Sequence, residues 1–343
     1  MLSLFYENDE KANLYSTYCC SYWWFVYSGL LNKQNGDEGC FRRLTKEGSS
    51  DVFTGDSDPQ LVGDALPFAI KMYESLLQAN PAHQGLLRTT GSLFVMYANA
   101  FVQKPAEQLP RDNFAERQAA MARAKKLYLR GQTLLYRGLN LKYPGFDGAF
   151  QRGASQDTVQ GKSQDTFSGI LAKMKKEDVP SLYWAAAGGL SAFSLDPLDL
   201  ELQLRIPEFF ALVARAYELN PDYNSGALDD FLLLYYASIP ESMGGDKSRA
   251  EMYYRRELEK SRGLLAGPYV SYAQAIAIPA QDYDTFKACL QAALAIDPDA
   301  DPANRLVNII SQRKARYLLD SADQFFINLG TDDDMDADQV SAN

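Results

Sequence analysis

The sequence predicts an all-α protein, a TPR-like helical-repeat superhelix that forms an irregular α-solenoid. Three observations support this fold class. Apolar residues recur at helical spacing from about residue 51 onwards, no credible segment alternates apolar and polar residues as a strand does, and one helix-ending motif recurs four times. With 46% apolar and 12% aromatic residues, the 343-residue chain has ample material for a packed core.

The first regular element shows how helix ends are recognised. Asp58-Pro59 can cap and begin a helix, apolar residues follow at helical spacing, and Asn80-Pro81 ends it. Farther along, the apolar run 231–236 resembles a strand, but its flanks from 227 to 237 contain neither Gly nor Pro. We therefore expect a buried helix there.

The repeated motif has the spacing of the second helix of a TPR unit, with apolar or small residues four and seven positions apart and a proline at the twelfth. Its four matches are Ala69-Tyr73-Leu76-Pro81, Gln132-Tyr136-Leu139-Pro144, Phe209-Val213-Ala216-Pro221 and Phe286-Leu290-Ala293-Pro298. Side chains at this spacing face a neighbouring helix, and proline turns the chain into the next one. The prolines lie 63, 77 and 77 residues apart, so the array is irregular. An irregular helical bundle is the alternative.

The chain divides into three segments. Residues 1–46 form an atypical or poorly ordered leader that we expect to contribute little to folding, because it lacks the helical periodicity of the rest. Residues 47–330 form a single TPR-like domain, interrupted over 145–168 by a stretch rich in Gly, Ser and Gln that predicts a long surface loop. Residues 331–343 form a flexible acidic tail.

The cysteines match no metal-binding spacing. Cys19, Cys20 and Cys40 lie in the leader without paired CxxC geometry, and Cys289 lies on an apolar helical face, where we expect a core residue. The net charge of −10 argues against nucleic acid as a partner, because an acidic surface repels phosphate.

No residues support an enzyme, and neither a cofactor nor a metal is predicted. The single histidine, His83, stands where a helix should begin and is expected to be a surface or capping residue. Gly161-Lys162-Ser163 lacks the earlier glycine of a phosphate-binding loop, and the run 297–301 lacks the later Gly and Glu of a calcium loop. Asp229-Asp230 are adjacent, so they diverge on a helix.

Aromatic residues beside small ones are the remaining candidates for a function. They could pack between helices as core, or line a groove or channel in which a nearby asparagine orients a ligand or partner. The candidate groove residues are Phe94, Tyr97, Asn99, Phe101, Tyr183, Trp184, Tyr235 and Tyr236.

Several longer strings go beyond generic TPR spacing. They are Gly63-Asp64-Ala65-Leu66-Pro67-Phe68, the run 91–101, Lys176-Glu177-Asp178-Val179-Pro180, Leu182-Tyr183-Trp184-Ala185-Ala186, the run 191–197 and Ile239-Pro240-Glu241-Ser242-Met243-Gly244-Gly245. In this order they resemble the TatT family, the helical-repeat components of TRAP-type solute transporters. The resemblance covers about residues 47–330.

The resemblance implies a membrane-anchored lipoprotein of the periplasm that assembles as a homotrimer and docks the solute-binding (P) subunit of the transporter. It also implies a groove or pore that passes an apolar small molecule, and no catalytic residues. The chain departs from the family at its start, because no leucine-and-small-residue lipobox precedes Cys19, Cys20 or Cys40.

Two other functions compete with the transporter role. A TPR-like periplasmic scaffold for envelope assembly would use its concave face for a peptide, whereas a helical hydrolase or lyase lacks residues for its chemistry. A tunnel lined by aromatic residues would favour solute passage, and a shallow groove would favour peptide docking. The solute itself is not specified by the sequence.

Overall fold

A computed structural model describes residues 51–149, 162–239, 241 and 244–327. All regular structure in these ranges is helical, and no strand occurs in them. The all-α prediction is therefore confirmed. The predicted leader and acidic tail lie outside the described residues, so the predicted domain boundaries stay predictions.

The described chain forms a series of helices that pack mostly against their neighbours in sequence. In chain order, after a first turn (Asp51–Thr54), they are α1 (Pro59–Ala79), α2 (Gln84–Tyr97), α3 (Phe114–Lys142), α4 (Lys162–Ala172), α5 (Val179–Leu195), α6 (Leu200–Leu219), α7 (Ala227–Ser238), α8 (Lys247–Lys260), α9 (Gly267–Tyr272), α10 (Tyr283–Ala295) and α11 (Arg305–Asp320). Short 3₁₀ turns cover Arg111–Asn113, Lys176–Asp178, Tyr223–Gly226, Pro298–Ala300, Pro302–Asn304 and Ala322–Gln324.

Two helices are extended by π-helical stretches. After α2 comes Ala98–Gln103 and then one α-helical turn, Lys104–Glu107. After α9 comes Ala273–Ala277 and then Ile278–Ala280. Such stretches are rare overall, and many of those known lie at functional sites, because they change which side chains face the interior.

The helix ends follow the predicted signals. Asp58 caps α1, its Oδ1 accepting hydrogen bonds from the backbone N–H groups of Gln60 at 2.9 Å and Leu61 at 3.2 Å. Each motif proline lies two or three residues beyond the last residue of a helix. His83 caps α2, because its Nδ1 accepts the N–H of Leu86 at 3.1 Å. The capping role expected for this histidine is confirmed.

The predicted surface loop 145–168 is wrong at both ends. Residues 146–149 are helical, with Phe146 and Ala149 buried in the main core. Helix α4 begins at Lys162, and the loop prediction gave the local Gly, Ser and Gln content too much weight. Phe167, Ile170 and Leu171 lie three and four positions apart and are buried in the core, which explains why this segment is helical. Residues 150–161 lie outside the described residues.

The helices pack mainly against their neighbours in sequence, with α3 lying between α2 and α5. The main core extends from α1 to α7 and reaches α11 through Leu306 and Val307, and a second core joins α9, α10 and α11. Cys289 belongs to this second core, as predicted. Helix α11 also returns to the beginning of the fold, where Arg305 Nη1 donates to the carbonyl oxygen of Gly55 at 2.7 Å.

Glycines set the closest approach between helices. A Cβ atom on Gly131 of α3 would lie 2.6 Å from the carbonyl oxygen of Gly91 on α2. A Cβ atom on Gly189 of α5 would lie 2.2 Å from Gln132 Nε2 on α3 and 2.6 Å from the Phe209 ring on α6. The backbones of α2, α3 and α5 can therefore approach this closely only because these positions lack side chains.

Candidate functional site

The predicted aromatic residues on and after α2 lie at two depths. Phe94 and Asn99 are buried, whereas Tyr97 and Phe101 are half-buried and stack with their ring centroids 6.0 Å apart. Arg123 of α3 lies 5.7 Å from the centroid of the Tyr97 ring. Only the Tyr97–Phe101 pair of this group is therefore accessible from the surface.

The two predicted residues on α5 lie in the core. Tyr183 is 2% exposed and Trp184 is 1% exposed, and their rings meet edge to face at 5.3 Å. Tyr183 also contacts Tyr223, with ring centroids 5.4 Å apart. Burial raises the pKa of the Tyr183 hydroxyl well above its usual value, so the group is neutral at physiological pH.

The small residues of α5 are covered by α3. A Cβ atom on Gly188 would lie 3.2 Å from the carbonyl oxygen of Tyr128, and the Gln132 amide donates to the carbonyl oxygen of Ala185 at 3.0 Å. A neighbouring helix thus occupies the space beside these residues. Their part in a channel stays a prediction.

Tyr235 and Tyr236 of α7 lie in a half-buried set of aromatic rings spread over three helices. Tyr235 packs on Phe210 with a centroid distance of 3.7 Å, and Tyr236 is nearly parallel to Tyr253 at 5.8 Å. We call this region the tyrosine–arginine surface, and its members are Tyr217, Tyr235, Tyr236, Arg249, Tyr253 and Arg256.

Two arginines of α8 complete the tyrosine–arginine surface. Arg249 lies 5.3 Å from the centroid of the Tyr236 ring and donates to its hydroxyl at 3.1 Å. Arg256 lies 5.5 Å from the centroid of Tyr217 and 5.9 Å from that of Tyr253. Cation–π contacts of this kind hold aromatic and cationic groups in fixed positions at a surface.

A buried group of charged residues was missed by the sequence analysis. It lies where α7 and α8 pack against the interior, close to Tyr183. Its members, with their exposed fractions, are Lys104 (5%), Asp229 (0%), Asp230 (1%), Glu257 (0%) and Lys314 (3%). Charged residues are seldom buried this completely unless they are paired.

Asp229 and Asp230 diverge, as their adjacency predicted, but both point into protein. Asp229 accepts hydrogen bonds from Lys260 and from the Tyr217 hydroxyl, the latter at 3.2 Å. Asp230 faces Ser271 and Lys104, and burial raises the pKa of Asp230 to about 7. The salt bridge with Lys260 thus offsets the cost of burying Asp229, whereas the burial of Asp230 is offset much less.

Glu257 is the least compensated member of this group. Within the part of the chain that the structure describes, neither of its carboxylate oxygens has a hydrogen-bond partner. Burial, followed by the nearby Asp230 and Asp229, raises the pKa of Glu257 well above its usual range. These surroundings therefore favour the neutral, protonated form of the carboxyl group.

The π-helical stretch after α2 places a series of hydrogen-bonded side chains near these carboxylates. The Tyr128 hydroxyl donates to Gln103 Oε1 at 2.6 Å. The side-chain amide of Gln103, through Nε2, donates in turn to Glu107 Oε1 at 2.8 Å. Glu107 in turn pairs with Lys314 of α11 at 3.1 Å. Burial lowers the pKa of Lys104 well below its usual value, so its positive charge is weakened as a partner for Asp230.

A partial signal for this group was present in the sequence. Asp229-Asp230 open an otherwise apolar helix, so the first turn of a buried helix carries two acids. The partners Lys104 and Glu257 are far away in sequence, and no spacing rule connects them. Within the described ranges, no group of three or more His, Cys, Asp or Glu side chains is placed to hold a metal ion.

Comparison with known proteins identifies the family. The model of the family described as "TAtT: TRAP transporter T-component" matches residues 55–326, which include every helix from α1 to α11. The chain belongs to the TRAP transporter T-component family. The resemblance to TatT found in the sequence is confirmed, and membership makes the protein an accessory component of TRAP transport.

A relative supports the same assignment to the T-component family. A protein of Treponema pallidum (strain Nichols), described as uncharacterized, is 37% identical over 277 residues, which is 81% of this chain and 83% of the relative. In the described part of this T component, no helix is both long and apolar enough to cross a bilayer.

Proposed function

We propose that this T component is a non-enzymatic binding protein, anchored as a lipoprotein in the periplasm, that docks the solute-binding subunit of a TRAP transporter. The match to the T-component family over residues 55–326 carries the proposal. The tyrosine–arginine surface is the docking surface that we assign to it. Tyrosine and arginine dominate the binding energy of many protein interfaces, because they combine large contact area with hydrogen-bonding groups.

The geometry of this surface favours recognition. Tyr236 and Tyr253 are already stacked, so little side-chain freedom is lost when a partner covers them. The side chain of Arg249 is 59% exposed. Its Nε lies 3.4 Å from Asp246 Oδ2, and its terminal N–H groups can pair with a carboxylate of the partner while the guanidinium remains over the Tyr236 ring. The surface therefore fits a protein segment that presents acidic groups beside apolar ones.

Replacing Tyr236 by alanine is expected to weaken binding of the solute-binding subunit at least tenfold, or about 1.4 kcal/mol. The purified full chain and a purified TRAP solute-binding subunit from the same organism would be titrated by calorimetry. Phe114→Ala is the matched control, because Phe114 is 63% exposed and lies elsewhere. An unchanged Kd with a folded Tyr236→Ala protein would exclude this docking surface. Retention of an envelope peptide instead of the subunit would favour the scaffold function.

The proposal includes passage of an apolar ligand along α2 and α5. We assign the half-buried Tyr97 and Phe101 to the entrance of this proposed path and the buried Tyr183 and Trp184 to its interior. Asn99 is buried and would provide a polar group among the apolar ones. Entry of a ligand would require side chains to move, so Trp184 is the residue whose replacement tests this part.

We also expect the protein to be a homotrimer. One face of α1 exposes large apolar side chains at helical spacing, with Leu61 59%, Phe68 76% and Met72 41% exposed. Self-association would bury such a stripe. Sedimentation equilibrium should therefore give about three times the chain mass of 38.3 kDa. Phe68→Glu should shift the population towards the monomer, and a wild-type protein that stays at one chain mass at micromolar concentration would contradict the expectation.

A further inference from the structure

The docking proposal leaves Asp230 and Glu257 without a role. Both carboxyl groups are buried, with exposed fractions of 1% and 0%. Glu257 has no donor within the described residues, and Asp230 has the Ser271 hydroxyl facing it. Natural proteins rarely leave buried polar groups in this state, so each such case requires an explanation.

Every element packed around these two carboxyl groups contributes a charged or titratable side chain. These are Asp229 of α7, Arg256 and Lys260 of α8, Tyr183 of α5, Tyr223 of the turn before α7, Lys104 after α2, and Glu107 and Lys314 paired beside Lys104. Lys260 is bonded to Asp229, and Lys314 to Glu107. The bonded cations are thus engaged with other acids.

The space around the carboxyl groups decides what can bind there. A metal ion or an organic cation needs a cavity and several oxygen ligands. Asp230 and Glu257 have no such cavity, because their oxygens are enclosed by protein atoms. A proton needs no additional space, and it converts each carboxylate into a neutral group that tolerates burial.

A strained turn makes the same region a place where the fold can open. Asn224 and Ser225 have φ angles of 55° and 54°, in the left-handed region that L-residues seldom adopt, and Gly226 follows with φ 108°. A Cβ atom on Gly226 would lie 2.9 Å from Glu257 Cγ. Strained residues persist only where the surrounding structure holds them, and Glu257 packs against this turn at Gly226.

We propose that Glu257 and Asp230 form a proton-binding site that locks the α7–α8 hairpin onto the interior, and that loss of the proton loosens this hairpin. The tyrosine–arginine surface is built on the same two helices. Loosening would therefore displace Tyr253 of α8 relative to Tyr217 of α6, whose ring centroids lie 6.1 Å apart, and weaken partner binding. The effect of the proton on the opening of α7 and α8 does not depend on the docking proposal, because it can be measured without any partner.

The direction of the effect follows from proton uptake. The folded state holds protons on these groups at pH values where the unfolded chain has lost them, since burial raises both pKa values. Stability of the hairpin is therefore greatest at acidic pH and falls as pH rises through about 7, where Asp230 titrates.

Hydrogen–deuterium exchange of the full chain tests the lock. After correction for intrinsic exchange rates, the opening equilibrium of α7 and α8 in the wild type should rise at least tenfold between about pH 6 and about pH 8.5. The double variant Asp230→Asn/Glu257→Gln carries neutral groups of the same shape at every pH, so its opening equilibrium should change less than about twofold. Glu259→Gln, an exposed acid two residues from Glu257, should behave like the wild type.

Parallel pH profiles for the wild type and this double variant would overturn the proposal. If the double variant does not fold, Asp230→Asn alone replaces it, and its profile should lose the change centred near pH 7. Infrared difference spectra of the wild type provide an independent readout, because a protonated carboxyl group has a distinct carbonyl stretch. Absence of any such band that disappears as pH rises through neutrality would equally overturn the proposal, whatever the variants do.

Discussion

Replacing Trp184 by alanine is expected to lower the free energy of unfolding by about 3–5 kcal/mol, a large share of the stability of an ordinary domain. The indole is 1% exposed, meets Tyr183 edge to face, and its N–H donates to the Tyr223 hydroxyl. Truncation would therefore leave a cavity and remove a buried hydrogen bond. Urea unfolding followed by circular dichroism measures the loss.

The same replacement decides whether Trp184 lines a channel. A channel residue would cost less than about 1 kcal/mol of stability when truncated, because its removal enlarges an existing space, and binding of an apolar fluorescent ligand would weaken. Trp184→Phe is the matched control, since it keeps an aromatic ring and should lose much less stability. A large loss with ligand binding intact in the folded fraction would end the channel hypothesis.

Substitution of Gly131 by alanine is expected to destabilise the protein by about 1–3 kcal/mol. The new Cβ atom would lie 2.6 Å from the carbonyl oxygen of Gly91 and 2.8 Å from Val95 Cγ2. A backbone oxygen cannot rotate away as a flexible side chain can, so α2 and α3 would have to separate. Chemical denaturation of the two proteins side by side gives the difference.

Gly169→Ala is the matched control for this glycine. Gly169 lies inside α4, and a Cβ atom there would meet no other atom within 4 Å. Alanine is favoured over glycine in a helix, so this variant should gain about 0.5–1 kcal/mol. Equal losses at Gly131 and Gly169 would contradict the steric explanation, because they would show a general sensitivity to change.

Much of the fold was predictable because its signals are local. Asp58 before Pro59 marks the start of α1, and the four motif prolines mark helix ends, since capping and proline geometry act within a few residues. The start of α4 was not predicted, because only local signals can be read from a sequence. Its local composition favours a loop, and only burial of Phe167 in the core makes it helical.

The candidate site was less predictable, because depth and charge pairing are set by tertiary contacts. Aromatic residues at the same helical spacing divide into buried Trp184 and half-buried Tyr236, and nothing in their neighbours distinguishes them. The proximity of Lys104, Asp230 and Glu257 depends on the return of distant helices to one place. The functional assignment came instead from longer strings shared with a known family.

The return of α11 to the start of the fold has a consequence for how the chain acquires its structure. In a linear repeat array each unit touches only its neighbours, so ordering can spread from any point and the ends fray. Here Arg305 contacts Gly55, and Lys314 contacts Glu107. Closing such long loops costs entropy before any contact compensates for it. We therefore expect slow, cooperative folding that waits for the last helix, so that a ribosome must release nearly the whole polypeptide before these two contacts form.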